Sequence, residues 1–344
     1  MNNLTNEFKP IIAITMGDAA GIGAEITDKT LAKKEIYDLC NPIVVGDLNT
    51  LKDHMKVAKV DLKFNSIEKV SDAGFNFGTV DVIDLKNIEL EKLVMGRPQA
   101  MAGKASFEYV KKAVELALDG EVHAIATAPL NKEAMNMAGI KYAGHTEILA
   151  DLTNTKDYAM MLAAGNFRVI HVSTHVSMRE ACDLVKKDRV LRVIQIANEV
   201  LLNLEIKEPK IVVSGLNPHA GESGLFGREE IEEVEPAMEE AKKLGINVVG
   251  LYPPDTVFLR ASKGEFDIVI AMYHDQGHIP LKMVGFELGI NVTVGLPIIR
   301  SSVDHGTAYR RAGLRLGTGD PTSLIEALKF ATQMAKGKFG SKKT

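Results

Sequence analysis

"FDIVIAMYHDQGHIPLK", Phe266 to Lys282, is the stretch on which the reading of this chain turns. Its first part is an apolar, β-branched run of strand length. Its second part packs two histidines, an aspartate, a glutamine and a lysine into one short segment. A buried strand that opens directly into titratable groups is what an α/β fold produces, because ligands gather at the carboxyl ends of its strands. An ordinary solvated loop is the competing reading.

The pattern recurs along the chain. Short apolar runs at 11–16, 42–47, 123–129, 168–174, 210–215, 247–252, 266–273 and 291–296 read as strands, and helical patterns at 21–38, 100–119, 187–204, 228–244 and 321–336 alternate with them. In the second of these helices Phe107, Val110, Val114 and Leu118 recur at three- and four-residue steps, on one face. Such alternation predicts a mostly parallel sheet. "RVIHVST" runs into His175, "KIVVSG" into "LNPHAGESG" with His219, and "IIAITM" into "GDAAGIGAE". With His274, that makes four strand ends suited to binding, too many to explain as solvated loops. The basic, Gly- and Ser-bearing tail "KGKFGSKKT" is expected to fray.

Composition excludes several classes. A chain of 344 residues has room for one large or two medium domains. A net charge of −4 gives no reason to expect nucleic acid or an anionic membrane surface as partner. No apolar run reaches the ~20 residues of a membrane helix, and "MNNLTNEFKP" holds no apolar signal segment. Cys40 and Cys182 lie far apart, which fits a reducing cytoplasm.

A lone histidine is more often a packing residue than a ligand. His175, His219 and His274 differ in standing one to four residues past candidate strands. Neutral imidazoles from three strand ends can converge on one divalent ion with coordination positions left open. Three imidazoles suit Zn, Co or Ni, and added carboxylates admit Mg or Mn. His54 and His123 lack that context, and His171 lies within a strand; all three read as packing residues. "GDAAGIGAE" lacks the third glycine of GxGxxG and the Lys-Ser/Thr of a P-loop, so it reads as a tight strand-to-helix turn. Arg300, beside Ser301 and Ser302, supplies a donor fork and two hydroxyls that could clamp a phosphate, with Lys282 and Asn291 adding donors if the chain folds back. "DHGTA", 304–308, is too small and polar for core and reads as a loop approached closely by something.

These segments resemble the 4-hydroxythreonine-4-phosphate dehydrogenase family of pyridoxal phosphate biosynthesis. The resemblance rests on "ITMGDAAGIGAEI", "TAPLNKEA", "GHTEILA", "STHVSMREA", "GLNPHAGESGLFGREE", "YHDQGHIPLK" and "GINVTVGLPIIRSSVDHGTA", and covers nearly the full length. It implies an α/β fold of two α/β/α domains of the isocitrate/isopropylmalate dehydrogenase type, 1–140 plus 297–344 and 141–296, with an active-site cleft between them. It implies a homodimer with shared active sites, NAD, and one divalent metal ion on His175, His219 and His274, zinc first, one of these ligands coming across the dimer. His145, Thr146, Lys282, Asn291 and Arg300 match substrate and phosphate contacts. Asp255 and Asp275 match acidic groups near the metal, and with Lys282 they are the candidates for the catalytic base. Asp304, His305, Gly306, Thr307 and Ala308 resemble the loop that holds the adenosine half of NAD. Met16, Asp18 and His278 look more like the catabolic branch, which acts on 4-phospho-D-threonate or 4-phospho-D-erythronate; Ala19 and Ala24 fit neither branch.

The implied reaction is oxidation of the C3 alcohol of a four-carbon, C4-phosphorylated hydroxy acid, followed by loss of carbon dioxide from the β-keto acid. Threonate phosphate would give dihydroxyacetone phosphate; hydroxythreonine phosphate would give its amino analogue. Two other classes use parts of the same residue set. A zinc hydrolase needs the histidines but no dinucleotide loop. A binding protein for phosphorylated sugar acids needs the phosphate clamp but no metal.

Overall fold

The computed structural model describes residues 8–285 and 288–340 of the chain. Twelve strands run in chain order: β1 (Ile11–Thr15), β2 (Asn41–Gly46), β3 (Lys63–Ile67), β4 (Thr79–Asp84), β5 (Ala124–Thr127), β6 (Ala159–Ala164), β7 (Phe167–His171), β8 (Ile211–Ser214), β9 (Val248–Tyr252), β10 (Ile268–Ala271), β11 (Ile290–Val294) and β12 (Arg300–Val303). The chain divides into two compact units, Met1–Thr155 with Leu296–Thr344, and Lys156–Gly295. The first crossing thus follows residue 155, where sequence placed it at 140. Helix His145–Leu152 stays with the first unit, and just ahead of it the Tyr142 ring stacks on Phe107 of helix Ala100–Leu118 at 6.0 Å.

In the first unit the strand order is β3-β4-β2-β1-β5-β12, all parallel. β1, β2 and β5 are near-continuous apolar runs because a central parallel strand is covered on both faces. The order reverses at β1, whose neighbours are β2 and β5, so the loops leaving β1 and β5 meet at a topological switch point. There the Asp18 N–H donates to the Pro129 carbonyl at 2.9 Å, and the Ile22 N–H donates to the Thr307 carbonyl at 3.0 Å. The glycine-rich stretch is therefore a tight turn packed on its neighbours, and the segment 304–308 is what it approaches.

In the second unit the order is β11-β6-β7-β10-β8-β9. β6 is antiparallel to both β7 and β11, while β7, β10, β8 and β9 run parallel. The pairing is mostly parallel, as the alternation predicts, with β6 the one strand that runs against its neighbours among the described residues. Leu162, Phe167, Val169, Val212, Val257, Phe258, Val269 and Leu281 form its core.

Several elements differ from the sequence expectation. β3 (KFNSI) carries polar residues and β6 (AMMLAA) lacks β-branching, so neither reads as a strand. β12 (RSSV) is a fully buried strand paired with β5, although Arg and Ser argue for a loop. "HDQGHIPLKMVG" is a helix, His274–Gly285, despite Gly277 and Pro280 within it. The C-terminal helix runs Thr322–Phe339, three residues past the expected end, and Phe339 packs edge-on against His123 at 5.3 Å. The tail's last four residues lie outside the described residues. No helix among the described residues is long and apolar enough to cross a membrane.

Candidate active site

The histidine centre belongs to the second unit and is built on the ends of β7 and β10. His274 opens helix His274–Gly285 just past β10, and His175 follows β7; their ring centroids lie 5.8 Å apart. His274 Nδ1–H donates to Asp275 Oδ1 at 2.7 Å, which leaves Nε2 as its lone-pair nitrogen. A carboxylate behind an imidazole fixes both its tautomer and its direction toward a metal. Two imidazoles so placed are a donor set that a divalent ion can use. His219 lies on the loop after β8, beside Phe226 (6.0 Å) and Glu222. Among the described residues of one chain no three His, Cys, Asp or Glu side chains converge as a metal site.

His278 proves to be neither exposed nor on a loop. It lies one turn beyond His274 and is buried, and its ring stacks on His274 at 3.6 Å and 12°. Its Nδ1–H donates to the His274 carbonyl at 3.0 Å. Behind it sits His171, 4.8 Å away, whose Nδ1–H donates to the Met160 carbonyl and whose Nε2 is buried without a hydrogen-bond partner. The helix comes this close to His171 because residue 277 is glycine; a Cβ there would stand 2.3 Å from His171 Nε2. Burial, with the charges of neighbouring histidines, pushes His171 down to about 3 and His278 to about 4, so both are neutral near pH 7. Lys282, a further turn along, adds to the depression of His278. Asn291 lies half-buried on β11. Asp255 stands exposed in the first turn of helix Pro254–Ser262.

The second constellation belongs to the first unit. Arg300 opens β12 and is among the most buried large side chains. Its Nε and Nη2 both donate to Thr127 Oγ1, at 3.1 and 2.7 Å. A buried guanidinium demands an anion, and Glu147 supports its charge. His145 Nε2 is buried with no hydrogen-bond partner, and burial together with the Arg300 charge holds its imidazole well below the usual histidine range. Thr146 is buried beside it. Ser301 and Ser302 are not part of the cluster. Their hydroxyls donate to the Ala327 carbonyl (2.7 Å) and to the Val303 and Thr127 carbonyls (3.0 and 3.3 Å). In a buried strand a serine satisfies itself on nearby backbone. Sequence reading named neither Thr127 nor Glu147, although they lie in "TAPLNKEA" and "GHTEILA"; their relation to Arg300 exists only in the folded chain.

The segment 304–308 turns on Ala308, a non-glycine residue at φ 47°. The Asp304 N–H donates to Ser323 Oγ at 3.2 Å, Thr307 is buried, and Gly306 is exposed. His305 Nε2 is buried without a hydrogen-bond partner, the kind of atom that a bound nucleotide can satisfy. Tyr309 Oη donates to Asp18 Oδ2 at 2.8 Å and ties this segment to the loop after β1. Burial raises the Asp18 carboxyl to about 6.

Residues 38–331 match the family described as "Pyridoxal phosphate biosynthetic protein PdxA", and the chain belongs to that family. Among its relatives is a protein of Oceanobacillus iheyensis named "Putative D-threonate 4-phosphate dehydrogenase", 52% identical over 96% of this chain and 99% of that one. The crystal structure of a 4-hydroxythreonine-4-phosphate dehydrogenase from Burkholderia phymatum is similar at TM-score 0.85 and 48% identity, covering 95% of this chain and 98% of the other. That of the Klebsiella pneumoniae 4-hydroxythreonine-4-phosphate dehydrogenase is similar at TM-score 0.86 and 44% identity, covering 95% and 100%.

Proposed function

We propose that this protein is a cytoplasmic, NAD-dependent dehydrogenase that oxidises the C3 alcohol of a C4-phosphorylated four-carbon hydroxy acid and releases carbon dioxide, with D-threonate 4-phosphate as substrate. The observation that carries the reading is the buried Arg300–His145 pair, a guanidinium and an unpartnered imidazole nitrogen suited to one phosphate. The choice of threonate rests on the likeness to the relative so named. D-Erythronate 4-phosphate is the nearest variant. The names of the crystallised relatives favour 4-hydroxythreonine 4-phosphate as a second substrate reading.

In this reading Arg300, Thr146 and His145 are phosphate contacts of the first unit, and Asn291 and Lys282 are the substrate contacts the second unit offers. Residues 304–308 would hold NAD, with the unpartnered His305 Nε2 facing it, and the cofactor would supply the hydride acceptor for C3. His175, His274 and a His219 would hold a divalent ion, zinc first, which would supply Lewis-acid chemistry at the C3 oxygen. Asp275 is committed to His274 Nδ1, so we assign the hydroxyl proton to Lys282, on the helix face shared with His274 and His278, with Asp255 as the alternative. Because no three such side chains converge among the described residues of one chain, we read the ligand set as completed in a homodimer, each chain lending its His219 to the other. Exposed apolar residues near these segments, Leu225, Phe226, Met283 and Val284 among them, support such an interface. The two units are read as the two domains of an isocitrate dehydrogenase-like enzyme.

The test is a substrate panel with NAD and added Zn, Mn or Mg. D-Threonate 4-phosphate should give NADH absorbance, dihydroxyacetone phosphate and carbon dioxide at the highest kcat/KM. Equal turnover of unphosphorylated threonate would remove the phosphate assignment, and preference for 4-hydroxythreonine 4-phosphate would select the second reading.

A further inference from the structure

We infer that Gln276 is a positioning residue of the histidine centre, a strap that fixes the segment bearing His274 to the segment bearing His219. The inference rests on the reading above that these histidines serve a divalent ion. Gln276 is buried in the first turn of helix His274–Gly285. Its amide is used at both ends: Oε1 accepts the Met272 N–H at 2.7 Å, and Nε2 donates to the Gly215 carbonyl at 2.8 Å. Met272 leaves β10 and Gly215 leaves β8, which are hydrogen-bonded neighbours. One side chain therefore holds the exits of two adjacent strands, each of which leads to a histidine within four residues.

Only glutamine meets this geometry. The site needs an acceptor on one side of a planar group and a donor on the other. Glutamate offers no donor when ionised, methionine offers neither bond, and asparagine is a methylene short.

The loop on the far side of Gly215 needs such an anchor. His219, Ala220, Gly221, Glu222 and Ser223 all have positive φ, between 42° and 81°. Each non-glycine residue there costs roughly 1–2 kcal/mol against the right-handed form. The shape is thus imposed from outside rather than chosen locally. The imposed contacts are few and specific. Glu230 accepts the Asn217 N–H at 2.7 Å, and Glu229 and Glu230 accept from Asn217 Nδ2. Gln276 takes the Gly215 carbonyl, and the Gly215 N–H donates to the Tyr252 carbonyl at 2.9 Å. Gly215 cannot be replaced without disturbing this base, since a Cβ would lie 2.7 Å from Ala220 Cα. Loss of the Gln276 bond frees the carbonyl end of that base, and His219 loses its direction while remaining in the sequence. Loss of the bond to Met272 loosens the start of the His274 helix in the same way.

The test uses the full chain with cobalt(II) as probe, titrated against a chromophoric chelator, together with amide hydrogen exchange. Gln276→Met and Gln276→Glu are compared with the parent and with Val110→Ala, a core substitution in helix Ala100–Leu118 of the other unit. Q276M should bind cobalt ~10- to 100-fold more weakly, the usual size of an outer-shell loss, and with a changed visible spectrum. Q276E keeps the acceptor for Met272 but not the donor for Gly215. It should show faster exchange across 216–224 with the Met272 amide still protected. Val110→Ala should leave the cobalt spectrum as in the parent. Parent-like affinity and spectrum in either folded Gln276 variant overturns the inference. A parent protein that binds no cobalt overturns the metal reading itself, before any variant is made.

Discussion

Asp28 offers a test of the fold's electrostatics that is independent of the reaction. It lies buried on helix Gly23–Leu31 and neither carboxyl oxygen has a hydrogen-bond partner. Burial, reinforced by the charge of Glu25, raises its pKa from 3.8 to about 8. Between those values the folded protein keeps the proton and the unfolded chain releases it. Stability from this group is therefore complete below the unfolded pKa, declines as pH rises through the window, and levels off above about 8. A gap of about four pH units at ~1.4 kcal/mol each sets a ceiling of about 5–6 kcal/mol on the loss. Relaxation around the ionised group and entry of water bring the observable change below that ceiling, to several kcal/mol. Asp28→Asn keeps the shape and removes the titration. It should match or fall slightly below the parent near the acid end of the window, and exceed it by several kcal/mol near the alkaline end. Denaturant midpoints measured for both proteins across the window give a difference curve in which other titrating groups cancel. Parallel curves for parent and variant would show that Asp28 is solvated or paired, and would refute the argument.

Three further outcomes concern the site. Arg300→Lys loses the planar fork on Thr127, and KM for the phosphorylated substrate should rise by roughly 10- to 100-fold, the scale of ~1.5–3 kcal/mol for a bond to a charged group, with a smaller change in kcat. His145 is neutral in the free protein because burial and Arg300 oppose its charge, so a phosphate dianion should draw a proton onto it. Calorimetry of phosphate binding near neutral pH in two buffers of different ionisation enthalpy should show proton uptake in the parent and less in His145→Gln. His175 is exposed, so His175→Ala should unfold as the parent does while losing bound metal and turnover; full activity after exhaustive chelation would exclude the ion from the reaction.

The amino-acid sequence by itself determined the central strands and their exits. β1, β2, β5, β8 and β10 are covered on both faces, and continuous apolar, β-branched runs of strand length are a local signal that needs no partner to be read. Polar clusters placed just beyond such runs, at Gly17 after β1, His175 after β7, His219 after β8 and His274 after β10, were legible for the same reason. What closure of the chain decided is the pairing of those exits. Arg300 becomes a buried strand residue only because β12 lies beside β5, 173 residues away in sequence from the Thr127 hydroxyl it grips. "HDQGHIPLK" is helical against the local preference of Gly277 and Pro280, since that helix covers Val169 and His171 and its Leu281 joins the core. His278, ambiguous in sequence, is buried because the i,i+4 step on that helix lays its ring on His274, with His171 behind it. His219 opens a run of five left-handed residues, 219–223, a loop shape that no local pattern in the sequence signals. Local periodicity reports how deeply a segment is buried; which side chains meet is set by contacts between segments distant in sequence, and those exist only once the sheets are assembled.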